Sequence, residues 1–133
     1  MKKILVACDG GEPARRALDL TVELAHRFGA KVGVVSVIPF RPGRAPIDPW
    51  DDRATHDAEL GEARQFLAER GIEALLYEPA GDPATTIEQI AEKEQYDMVI
   101  VGSRGLGVLS RMLQGSVSEH VATHAAATVV VAR

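Results

Sequence analysis

Four of the twelve glycines fall in one stretch, at Gly102, Gly105, Gly107 and Gly115, and Ser116 follows the last of them. Glycine permits positive φ and lets another molecule approach the main chain closely. These glycines come directly after an apolar run at 98–101, and a segment with helical spacing opens at Ser116. A strand that ends in such a loop and feeds a helix presents unpaired amides, and those amides with the helix dipole favour an anion, typically phosphate. Arg104 and Arg111 bring positive charge to the same stretch. The chemistry this pattern suits is the holding of phosphates.

Other site chemistries fit less well. There is no G-x-x-x-x-G-K-[ST], and Gly105-Leu106-Gly107 is followed by Ser110 where G-x-G-x-x-G needs its third glycine. Val101-Gly102-Ser103-Arg104-Gly105 is not G-x-S-x-G, and no nucleophile, base and orienting group assemble from the sequence. His120 and His124 would share a face of the predicted helix, but Glu119 precedes both, so H-E-x-x-H is absent and ordinary helix packing is favoured over a metal site. Cys8 is the one cysteine, which excludes an intramolecular disulfide and a thiolate metal cluster.

Two parts of the pattern also have purely structural explanations. Ser116 and Glu119 have the spacing of a capping box, which would satisfy backbone donors at a helix start without any ligand. It leaves Gly102, Gly105 and Gly107 unexplained. Asp9 stands before Gly10-Gly11, so it reads either as a site residue or as a turn or cap residue.

The elements that must position these residues follow from periodicity. Of the apolar runs at 4–8, 32–38, 74–77, 98–101 and 128–132, most are rich in Val and Ile and alternate little, as strands do when both faces of a parallel sheet are covered. Between them lie amphipathic stretches. Ala17, Leu18, Thr21, Val22, Leu24, Ala25 and Phe28 recur at helical spacing over 12–28, with Pro13 suited to the first turn and Gly29 to the end. A second helix is predicted from about 53 to 70, ending at Gly71. A third opens at Asp82-Pro83 and a fourth at Ser116. Strand and helix in alternation predict one α/β domain over 1–133, an open five-stranded parallel sheet with helices on both faces and right-handed crossovers. If the first and fourth strands are neighbours at the switch point, Asp9 and Gly102 face the same crevice. The stretch 39–52 holds four of the seven prolines, with Gly43 and Trp50, and reads either as a functional loop or as a surface excursion.

Composition narrows the partners. A formal charge of −4 without basic runs gives no footprint for nucleic acid. Only five apolar or small residues separate Lys3 from Asp9, too few for a signal peptide, and no apolar run reaches membrane-spanning length. A cytoplasmic protein is the expectation.

The arrangement Gly102-x-x-Gly105, nine residues, then Gly115-Ser116, continued by Val117-Ser118-Glu119-His120-Val121, resembles the ATP-binding members of the universal stress protein family. The resemblance extends over nearly the whole chain, from the first strand through Asp9-Gly10 to the last. It implies a Rossmann-like (adenine nucleotide α-hydrolase-like) sheet in the order 3-2-1-4-5. Carried over by residue, it implies that Gly102, Arg104, Gly105, Gly115, Ser116 and Val117 hold phosphates and ribose. Asp9 would lie beside the nucleotide and, through the phosphates, a magnesium ion. Val37 and Pro39, at the end of the second strand, would border the adenine. The resemblance also implies ATP as ligand, a nucleotide-dependent role in stress survival, and a homodimer through the strand Thr128–Ala132. Phosphoryl transfer needs a positioned base as well as a charge clamp, and no residue stands out as a water activator, so at most slow ATP hydrolysis is expected. A dimeric interaction module acting without nucleotide is the alternative, since an edge strand at 128–132 would invite pairing with a second copy. Two positions depart from the family pattern: Gly11 stands where a serine is frequent, and Thr128 where a proline commonly precedes the last strand.

Overall fold

The computed structural model describes residues 2–8, 12–39, 53–102 and 127–132. In chain order its elements are β1 (Lys3–Ala7), α1 (Glu12–Phe28), β2 (Lys31–Val35), β3 (Ile38–Pro39), α2 (Arg53–Ala68), β4 (Ala74–Tyr77), β5 (Ala80–Gly81), α3 (Pro83–Lys93), β6 (Met98–Gly102) and β7 (Thr128–Ala132). Five of the strands form one parallel sheet in the order β4-β2-β1-β6-β7. Numbered by the main strands alone, this is 3-2-1-4-5. The short strands β3 and β5 pair with each other in a separate two-stranded sheet.

The runs of β2, β1 and β6 become central strands because both of their faces are covered, whereas β4, with Leu75 and Leu76 exposed, and β7 flank them. All five residues of β6 are buried, as are Ile4, Leu5 and Val6 of β1. Ile4, Val6, Val32, Val34 and Ile100 face α1 and α2, where they meet Ala17, Leu18, Ala25, Leu60, Ala63 and Leu67. Leu5, Val35, Val99 and Val101 face the other way, against Ile87 and Ala91 of α3. Each fully buried Val, Leu or Ile side chain contributes about 1.5–3 kcal/mol of transfer free energy, which is why β1 and β6 form the middle of the sheet.

The three described helices end in the same way. The amide two residues beyond each helix cap donates back to a carbonyl in the last turn: Ala30 to Ala25, Ile72 to Leu67 and Tyr96 to Ala91. The residue between takes positive φ, at Gly29 (63°), Gly71 (79°) and Gln95 (59°). This is the Schellman ending, for which glycine is the unstrained choice. It stops α2 at Ala68, slightly short of the span its periodicity predicts. At the other end, the Asp82 carboxylate accepts from the Thr85 amide at 3.1 Å and caps α3, with Pro83 in the first turn.

One predicted boundary is corrected. The run 32–38 is not a single strand, because β2 ends at Val35 and Ile38 belongs to β3. The Ser36 amide still donates to Tyr77 O at 3.0 Å, but the Ile38 amide donates to Pro79 O at 2.8 Å, in the short β3–β5 pairing. Continuous apolar character conceals this change of partner. The predicted fourth helix and residues 40–52 of the proline-rich stretch lie outside the described residues.

Candidate functional site

The sheet brings the carboxyl ends of β2, β1 and β6 side by side. Ala7 is in register with Val35 on one side and with Val101 on the other. The pairing continues one residue past β1, where the Cys8 amide donates to Val35 O at 2.9 Å. At the usual strand spacing, the ends of β2 and β6 stand about 10 Å apart with β1 between them. The strand that follows β1 in the chain lies on one side of it, at β2, and the strand that follows β6 lies on the opposite side, at β7. The β1–β6 junction is therefore the topological switch point, beyond whose carboxyl edge open α/β sheets bind ligands.

Three of the sequence-predicted site residues have described positions along this edge. Gly102 is the last residue of β6, buried and in register with Ala132. Val37 follows β2 and packs half-buried against the cluster on the α3 side of the sheet. Pro39 is in β3, in register with Gly81. Asp9, Arg104, Gly105, Gly115, Ser116 and Val117 lie outside the described residues. So do His120 and His124. By sequence, Asp9 is the residue after Cys8, and the glycine-rich stretch begins at Gly102.

Periodicity and motif reading did not single out the polar contact beneath the end of β2. Ser36 is fully buried, and its Oγ donates to Glu59 Oε2 of α2 at 3.3 Å. A serine interrupting the apolar run 32–38 was the only signal of it. Among the described residues no group of three His, Cys, Asp or Glu side chains is placed to hold a metal ion. No described helix is long and apolar enough to cross a membrane.

The opposite edge of the sheet is pinned by Asp97. Its carboxylate accepts from the backbone amides of Lys2 at 2.8 Å and Lys3 at 2.9 Å. These two bonds, Lys2 first, hold the carboxyl below the ordinary value for an aspartate. The Asp97 amide also donates to Lys3 O, and its carbonyl accepts from Thr128. One residue thus ties the starts of β1 and β7 to the start of β6, at the end remote from the crevice.

The model of the Universal stress protein family matches residues 1–133. The universal stress protein YxiE of Bacillus subtilis is 28% identical over 150 residues, covering 98% of each chain. Among solved structures, the universal stress protein from Archaeoglobus fulgidus in complex with dAMP superposes with a TM-score of 0.71 at 23% identity, over 100% of this chain and 98% of that one. At that identity the likeness shows the shared fold. A universal stress protein family protein from Arabidopsis thaliana with AMP bound is 25% identical, with a TM-score of 0.59 over 98% of this chain and 90% of that one. Parallel sheet, strand order and whole-length match agree, and the chain belongs to the universal stress protein family.

Proposed function

We propose that this chain binds an adenine nucleotide, most naturally ATP, across the carboxyl edge of β2, β1 and β6, and acts as a nucleotide-dependent regulator in stress survival. The observation that carries the proposal is the position of Gly102. It ends a fully buried strand at the switch point and opens the sequence Gly102-x-x-Gly105, nine residues, Gly115-Ser116. The AMP-bound relative from Arabidopsis thaliana supports adenine nucleotide as the ligand class.

In this assignment Gly102, Arg104, Gly105, Gly115, Ser116 and Val117 hold phosphates and ribose, and Val37 and Pro39 border the adenine. A carboxylate at Asp9 suits a magnesium ion carried in with the phosphates, since such ions are bound by one or two carboxylates plus phosphate oxygens. The ion would offset phosphate charge. The chain's own part is to orient the nucleotide through backbone amides, with at most slow hydrolysis. We place the protein in the cytoplasm, with no nucleic acid or membrane partner.

A second reading is favoured by one observation. β7 is an edge strand of the main sheet, with Thr128 exposed and the valines after it half-buried. Such an edge can pair with a second copy, making a homodimer through Thr128–Ala132. As a module acting without nucleotide, that dimer would itself carry the function. Calorimetric titration of nucleotide-free protein with ATP and AMP, with and without magnesium, separates the two. Saturable binding supports the nucleotide proposal. A chain that sediments as a dimer and takes up neither nucleotide supports the module.

A further inference from the structure

We infer that Glu59 of α2 is a positioning residue for the base-bordering segment, acting through the buried hydroxyl of Ser36; this rests on the nucleotide site proposed above. The Ser36 amide still donates to Tyr77 O at 3.0 Å, and beyond it the chain leaves the main sheet, so residues 36–39 need further anchors. They are held from two sides. On the α2 side, Ser36 is fully buried and its Oγ donates to Glu59 Oε2 at 3.3 Å. On the α3 side, the Ile38 amide donates to Pro79 O at 2.8 Å, and Ile38 and Pro39 pair in parallel with Ala80 and Gly81. Val37 lies between the two anchors.

The chemistry of the α2 anchor argues for position over stability. Glu59 precedes Leu60 on a helix whose inward residues Leu60, Ala63 and Leu67 are buried and apolar. A half-buried carboxylate beside them gives up hydration that an apolar side chain would not need. A buried serine can satisfy its hydroxyl on nearby backbone, as Thr21 does on Ala17 O at 2.7 Å, so it does not require a carboxylate from another element. What the Ser36–Glu59 bond adds is direction. It joins the α2 layer to the residue next to Val37; at 3.3 Å it is longer than a strong hydroxyl–carboxylate bond, so it restrains where Ser36 sits more than it stabilises the fold. A wall held in place before binding spares the ligand the cost of ordering it.

The test uses the whole chain and three ligands: ATP, adenosine and inorganic tripolyphosphate, the last two measured by displacement of ATP. Ser36→Ala and Glu59→Ala should each weaken ATP and adenosine by about three- to tenfold, the range set by one lost hydrogen bond. Tripolyphosphate affinity should stay unchanged. Glu59→Gln keeps an acceptor oxygen and should restore most of the loss, and the double variant should lose no more than either single one. Thermal melts identify any variant that fails to fold; Ser36→Ala, which removes one oxygen, then decides. Equal weakening of all three ligands, or unchanged adenosine affinity in folded variants, overturns the positioning role. A wild-type chain that binds none of the three overturns the nucleotide assignment itself.

Discussion

The hydroxyls of Tyr77 and Tyr96 meet at 2.9 Å above Gly33, with the two rings edge to face and their centroids 6.2 Å apart. The pair joins the end of edge strand β4 to the turn that leads into β6, across the α3 side of the sheet. Lys3 Nζ lies 4.4 Å from the Tyr96 ring centroid and also donates to Glu94 O. Burial, and then the bond to Tyr77, raises the Tyr96 hydroxyl well above the ordinary tyrosine value. Tyr96 is therefore neutral throughout the physiological pH range.

Gly33 is a glycine for reasons of space. A Cβ built there would stand 2.1 Å from Tyr96 Oη and 2.8 Å from its Cζ, closer than any real contact. Gly33→Ala should force the tyrosines apart and cost about 1–3 kcal/mol, the range for overpacking a filled interior. The check is a denaturant midpoint, compared with Gly33→Ala in a Tyr96→Phe background. Removing the hydroxyl should recover part of the loss, whereas an equal cost in both backgrounds would mean that the clash is not with Tyr96.

Asp97 predicts a defined acid sensitivity. Its folded-state carboxyl titrates below the unfolded value of 3.8, so the charged form is the one the fold prefers. The stability it contributes is fully present above that value and is lost as the pH falls through the lower folded-state value. The melting temperatures of wild type and Asp97→Asn should differ at pH 7 and converge as the solution is acidified below about 3.8. A gap that stays constant over the whole range would show that the charge on Asp97 does not matter.

Gln95 occupies the position that Gly29 and Gly71 fill at the ends of the other two helices, at a φ of 59°. A side chain in that conformation costs about 1–2 kcal/mol, offset in part by the greater freedom that glycine loses on folding. Gln95→Gly should therefore stabilise the chain by about 0.5–1 kcal/mol, a rise of about 2–4 °C in melting temperature. An unchanged or lower midpoint would mean that Gln95 makes a compensating contact.

What could be read from the sequence followed from burial. Strands β1 and β6 announce themselves through the unbroken apolar runs 4–7 and 98–101, and α1 because Ala17, Leu18, Thr21 and Ala25 share one buried face. Gly29, Gly71 and Asp82-Pro83 mark helix boundaries through backbone chemistry that acts locally. The break after Val35 was not legible, because Val37 and Ile38 remain apolar while the Ile38 amide turns to Pro79 O. Nor were the Tyr77–Tyr96 and Ser36–Glu59 contacts, which join residues 19 and 23 apart that only the tertiary fold brings together. Of the candidate site, the glycine spacing was plain in sequence, and the apolar run 98–101 put Gly102 at the end of a strand. The role of Ser36 was not plain, since one serine in an apolar run has no motif.

The most direct test of the nucleotide site is calorimetric titration of nucleotide-free wild type and Gly105→Val with ATP and magnesium. A bulky β-branched side chain at Gly105 would obstruct close approach to the backbone. Wild type should bind saturably and the folded variant not at all. Equal binding to both would contradict a site built on Gly105.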